Sequence, residues 1–217
     1  MPLKKQNNLS VGTVAVYLAQ IPEGGATAPI DPPERSAEIE AVSSDSVRLE
    51  KYYAWRLLEL AVRECFAMEL SEASLVKMPS GAWSSPYFSM SISHSGGIVA
   101  VALSAADNSV GVDIEPIAPL RRQDKMAQWL LSPNDIQKYG ELPEEDRLRL
   151  LLGQWTSKEA AFKALGESAF KPSELLLEDF DGLIESKILS VFGIELSLSV
   201  ASRAHAEISE ARIRTLV

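Results

Sequence analysis

The stretch that decides the fold is Trp155-Thr156-Ser157-Lys158-Glu159-Ala160-Ala161-Phe162-Lys163-Ala164-Leu165-Gly166. With 3.6 residues per turn, the run from Leu148 to Phe162 places Leu148, Leu151, Leu152, Trp155 and Phe162 on one stripe of a helix. Glu159 falls inside that stripe. A carboxylate facing a core without a partner is costly by several kcal/mol, so it must be paired, protonated or bound to a metal. Lys158 and Lys163 flank the same face, with Lys163 one turn beyond Glu159. A plain Glu159–Lys163 pair on a half-exposed helix is the competing reading.

Working outward, a second acidic feature lies upstream. Val110-Gly111-Val112-Asp113-Ile114-Glu115 has the pattern of a strand, in which Val112 and Ile114 face one way and Asp113 and Glu115 the other. Two neighbouring carboxylates on one face repel unless a cation sits between them; an edge strand with a solvated acidic face is the bland alternative. Before it, Ser89-Met90-Ser91-Ile92-Ser93 alternates small polar and apolar residues as a half-buried strand does, and runs into a turn at His94-Ser95-Gly96-Gly97. Ile98 to Leu103 is an almost unbroken apolar run, as expected of a strand covered on both faces.

The flanks read more simply. Val11 to Ile21 is a first strand, and Pro22 to Glu34 a loop. Asp45 or Ser46 caps a helix that carries Arg48, Arg56 and Arg63. Beyond Pro116, helices are expected over Arg121 to Leu131, after Ser132-Pro133-Asn134-Asp135, and from about Glu145. Strands then follow at Ser173 to Leu177, Lys187 to Phe192, Ile194 to Val200 and Arg203 to Ile213.

Composition narrows the function. The chain has 217 residues, 46% of them apolar, and no stretch long enough to span a bilayer, so a soluble globular protein is expected. Met1 to Asn8 lacks the apolar core of a signal peptide. The single Cys65 rules out an internal disulfide framework and fits the cytoplasm. A net charge of −9 argues against a broad nucleic-acid surface. With two histidines and one cysteine, a metal would be held by carboxylates, which favours Mg2+ or Mn2+. Asp113, Glu115 and Glu159 with Lys158, Lys163 and His94 are equipment for transfer chemistry at a pyrophosphate.

Ser91-Ile92-Ser93-His94-Ser95, Gly111-Val112-Asp113-Ile114-Glu115 and Trp155-Thr156-Ser157-Lys158-Glu159-Ala160 with Lys163, the last two about forty residues apart, resemble the three ordered signatures of the 4′-phosphopantetheinyl transferases. The likeness is to the larger single-chain type that activates surfactin synthetase, and it spans roughly Arg48 to Gly166. It implies an α/β (α+β) fold of two similar halves, 1–116 and 117–217, related by a pseudo-twofold axis, with coenzyme A in the cleft between them. It implies transfer of phosphopantetheine to a serine of an apo acyl or peptidyl carrier protein, by a monomer.

By the same resemblance Asp113, Glu115 and Glu159 are the magnesium ligands, and Glu159 and Lys163 the catalytic pair. Arg56, Ser93, His94, Lys158 and Lys163 contact coenzyme A, with His94 and Arg56 on its 3′-phosphate. One departure stands out. Where relatives often carry Gly-Lys-Pro, this chain has Ser80-Gly81-Ala82-Trp83, and upstream of the first helix Arg48 is the one basic stand-in. A coenzyme A or carrier-protein binding module that has lost turnover is therefore the alternative.

Overall fold

The structure is a computed structural model that describes Leu9 and residues 12–216. Val11 and the Met1–Asn8 segment lie outside the described residues. β1 (Thr13–Gln20), β4 (Phe88–Ser95), β5 (Ile98–Ala105) and β10 (Arg212–Thr215) form one sheet in the order β10-β1-β5-β4, with β9 (Glu207–Ile208) also on β1. β6 (Val110–Pro116), β7 (Leu183–Val191) and β8 (Ile194–Ser202) form a second, antiparallel sheet in the order β6-β8-β7. β2 (Val76–Lys77) and β3 (Trp83–Ser84) make a small hairpin. The fold is mixed α/β.

The two sheets stack face to face. Val14, Val16 and Leu18 of β1 and Ile98, Ala100 and Ala102 of β5 pack on Val112, Ile114, Leu198 and Val200 of the second sheet. Strand alternation sends the other residues of β1 and β5 outward, where Tyr17, Val99, Val101 and Leu103 meet the 22-residue helix α2 (Asp45–Phe66) through Trp55, Leu57, Leu58, Ala61 and Val62. α1 (Pro33–Glu40) precedes it. On the far side, α5 (Glu144–Leu165), also 22 residues, covers β6 and β8. α3 (Gln123–Leu130) and α4 (Pro133–Glu141) lean on its outer face through Leu130, Tyr139 and Leu151.

Along one edge the sheets are joined without a backbone ladder. Ser89 and Ser91 of β4 accept hydrogen bonds at Oγ from the amides of Val110 (3.3 Å) and Val112 (3.0 Å) of β6. Ser93 and Ser95 donate to Asp113 Oδ1 and Glu115 Oε2, each at 2.7 Å. The small polar residues of the alternating strand are thus a seam, and they fix where both acids point.

Several expectations are corrected. The buried stripe of α5 consists of Leu152, Thr156, Ala160 and Ala164 rather than Trp155 and Phe162, which are half-buried against Phe170. Small side chains suit a helix lying close on a sheet, and they carry little hydropathy signal. The cap of α2 is Ser44, whose Oγ accepts from Val47 N, rather than Asp45 or Ser46. Ser173 to Leu177 contains no strand; a 3-10 turn follows at Leu177–Asp179. His94 and Ser95 belong to β4, and Gly96-Gly97 alone make the turn, both with positive φ. The stretch from Arg203 to Ile213 is broken by a turn into β9 and β10, which return to β1.

Hydroxyls lock the helix to its sheet. Thr156 Oγ1 lies 2.7 Å from Ser199 Oγ and 3.0 Å from Ser197 Oγ, and donates to Leu152 O at 3.0 Å. Ser157 and Ser186 complete the cluster around Ser199. Thr156→Val keeps the shape and removes the hydroxyl, so it should lower unfolding free energy by about 1–3 kcal/mol, read from the urea midpoint.

Candidate active site

β6 supplies Asp113 and Glu115 on its α5 side, because Val112 and Ile114 are drawn into the core between the sheets. α5 supplies Glu159 and Lys163. The helix can approach because residue 111 is glycine: a Cβ there would stand 1.8 Å from the Ala160 carbonyl oxygen. Lys163 Nζ reaches across to donate to Asp113 Oδ1 (2.8 Å) and Val112 O (3.0 Å). Its ion-pair partner is therefore Asp113, and the simple Glu159–Lys163 pair does not form among the described salt bridges.

The acids crowd one another. Burial pushes the Glu159 carboxyl above its ordinary range; Asp113 and Glu115 add to this and Lys163 opposes it. Glu115 is raised as well, by burial first and then by Asp113 and Glu50, against its Ser95 hydrogen bond and Lys163. Asp113 is 6% exposed, yet its Oδ2 has no hydrogen-bond partner. A buried carboxylate oxygen with no donor, beside two acids held above their usual range, is a place where a hard cation fits by charge and donor type. As they stand, no three His, Cys, Asp or Glu side chains among the described residues form a ready metal cage. Oδ1 of Asp113 is already occupied by Ser93 and Lys163, and Oε2 of Glu115 by Ser95.

Lys163 also borders a cleft of about 470 Å³, lined by Lys51, Trp55, His94 and Phe162 among others. His94 Nδ1 is 3.0 Å from Glu50 Oε2. Burial depresses the His94 pKa, Glu50 opposes that, and Lys163 and Lys51 push it further down.

Not every expected residue joins the site. Lys158 is 4% exposed and donates to Leu130 O (2.8 Å) and Pro172 O (2.7 Å). One residue before Glu159 is about 100° around the helix, so it ties α5 to α3 and the Phe170–Pro172 segment instead. Arg56 is ion-paired with Glu59 and is not part of the cleft lining; Lys51 and Trp55, one turn apart on α2, occupy that face. Ser93 spends its hydroxyl on Asp113. Arg48 holds Asp45 and Val42 O.

Arg35 and Trp83 are residues the sequence reading missed. Arg35, on α1, lies over the Trp55 ring at 4.9 Å, and Trp83 meets that ring edge-on at 5.6 Å. Both border the cleft, and both keep a buried donor, Arg35 Nε and Trp83 Nε1, without a partner. The available signal was Pro32-Pro33-Glu34, which opens a helix rather than closing a loop.

Comparison with known proteins places part of the chain beside one family. Residues 109–205, from just before β6 through α5 and β8, match the family model described as the 4′-phosphopantetheinyl transferase superfamily. A Synechocystis protein named putative 4′-phosphopantetheinyl transferase slr0495 is 34% identical over 83 residues, 38% of this chain and 32% of that protein. The 4′-phosphopantetheinyl transferase HetI of a Nostoc species is 27% identical over 84 residues, 39% of this chain and 35% of that protein. The matched stretch thus covers about a third of the length of each relative.

Proposed function

We propose that this chain transfers the 4′-phosphopantetheine arm of coenzyme A to a serine of an apo acyl or peptidyl carrier protein, with Mg2+ or Mn2+ as cofactor. The observation that carries the reading is that Lys163, ion-paired with Asp113 and coupled by charge to Glu115 and Glu159, borders a cleft that also holds Arg35, Lys51 and His94. We infer the larger single-chain type, in which residues 1–116 would supply half the site and 117–217 the other half, about a pseudo-twofold axis. Cys65, buried and with its thiol pKa raised by burial, is consistent with the cytoplasm; among the described residues no helix is long and apolar enough to cross a membrane.

The roles follow from position. Arg35 and Lys51 offer charge and donors to the 3′-phosphate, whose own charge would favour a protonated His94 able to donate as well, and the free Trp83 Nε1–H offers a donor to the base, in place of the missing lysine. Asp113, Glu115 and Glu159 would hold the divalent ion, which when bound neutralises charge on the pyrophosphate. Glu159 takes the proton of the carrier serine, directly or through a water, as its oxygen bonds to the phosphorus that carries the pantetheine arm. The bond from that phosphorus to the bridging oxygen breaks, and 3′,5′-ADP leaves with its charge met by the Lys163 ammonium. Mass spectrometry of an apo carrier with coenzyme A and magnesium tests this directly. One added phosphopantetheine mass is expected; no mass gain with any of several carriers would reject it.

The acid cluster also predicts a linkage between pH and metal. Glu115 and Glu159 have folded pKa values above the unfolded 4.5, so their contribution to stability is present below about that pH and is lost as pH rises through the folded values. A divalent ion reverses that loss. Magnesium should raise Tm at neutral pH and have little effect near pH 4.5, and Glu159→Gln should shrink the neutral-pH increment.

A further inference from the structure

The core between the sheets is sewn shut along the β4–β6 edge by serines and stays open along the opposite edge, between β7 and the β9–β10 connection. There lies a second cleft of about 300 Å³, with Val16, Leu189, Val191, Leu198, Val200 and Ile213 in its walls. It opens on the face of the second sheet opposite to the one that carries Asp113 and Glu115, so it is no part of the site described above. Ile213 remains 44% exposed at its rim.

The lining specifies what fits. Aliphatic walls give a polar molecule nothing to bond to, and such cavities hold apolar guests rather than water. The one hydroxyl, Ser209, is engaged, accepting from Val16 N (3.4 Å) and donating to Glu210 O (3.3 Å). At the mouth Lys187 is neutralised by Glu185 at 3.1 Å, while the Glu210 carboxylate has no ion pair among the described residues. What is left over at the mouth is therefore negative charge.

We propose that this cleft binds a single unbranched aliphatic chain with a positively charged head. At about 30 Å³ per water-sized group, its volume accepts a chain of about eight to ten carbons.

The test is a titration of the full chain with octylammonium, 1-octanol and octanoate, followed by methyl NMR. Saturable shifts are expected at the methyls of Leu189, Val200 and Ile213, with octylammonium tightest and octanoate weakest. Ala211→Phe or Val191→Phe, whichever folds, should fill the cleft and abolish the shifts. Glu210→Gln, a surface change, should remove the roughly two- to fivefold advantage of octylammonium over octanol. No saturable shift, shifts that survive the filled cleft, or any other ranking of the three probes overturns the proposal.

Discussion

Asp113→Asn should cut the proposed phosphopantetheine transfer about a thousandfold or more while leaving the chain folded. The substitution conserves volume and keeps an oxygen for the Ser93 hydroxyl. It removes the charge that holds Lys163 and puts an amide N–H2 where the unpartnered Oδ2 stands. A cation that needs this oxygen can no longer be bound, and Lys163 loses its anchor. Transfer assays, with circular dichroism and a urea midpoint as controls for folding, read the effect. Activity within about tenfold of the parent would mean that Asp113 is only a structural partner of Lys163.

Gly111→Ala should be the most damaging single-methyl change to stability. The added Cβ would lie 1.8 Å from Ala160 O, 2.8 Å from the carbonyl carbon and 2.9 Å from Ala164 N, all backbone atoms of α5. No side-chain rotation relieves such a contact; the helix must lift off the sheet. That motion breaks the Thr156–Ser199 contact and draws Glu159 and Lys163 away from Asp113. A loss of more than about 4 kcal/mol is expected, read by denaturant titration. Loss of less than about 1 kcal/mol would show that the helix-to-sheet spacing is loose.

The strands were legible because their patterns are strong. The unbroken apolar run of β5 is buried on both faces, and the alternation in β6 divides core residues from acids as expected. The serine alternation of β4 was visible too, but its meaning was not: a serine on a half-buried strand looks solvated until a second strand is placed against it. For Glu159 the pattern points to the right residue for an imperfect reason. Helical periodicity puts it in the apolar stripe of α5, whereas the stripe that meets the sheet is Thr156, Ala160 and Ala164, and Glu159 stands at its margin. Lys158 shows the limit of reading function from proximity in sequence, since one step along a helix turned it to two backbone carbonyls. Pro32-Pro33-Glu34 marks the helix that carries Arg35, but the contact of Arg35 and Trp83 with Trp55 is set only by the tertiary fold.

The central claim is that Asp113, Glu115 and Glu159 share one divalent ion beside Lys163. Crystals soaked with Mn2+ and coenzyme A, with data collected for manganese anomalous scattering, test it most directly. A single anomalous peak within coordination distance of Asp113 Oδ2 and of carboxylate oxygens of Glu115 and Glu159 is the predicted result. Bound coenzyme A with no peak there, or a peak ligated by other residues, would contradict it.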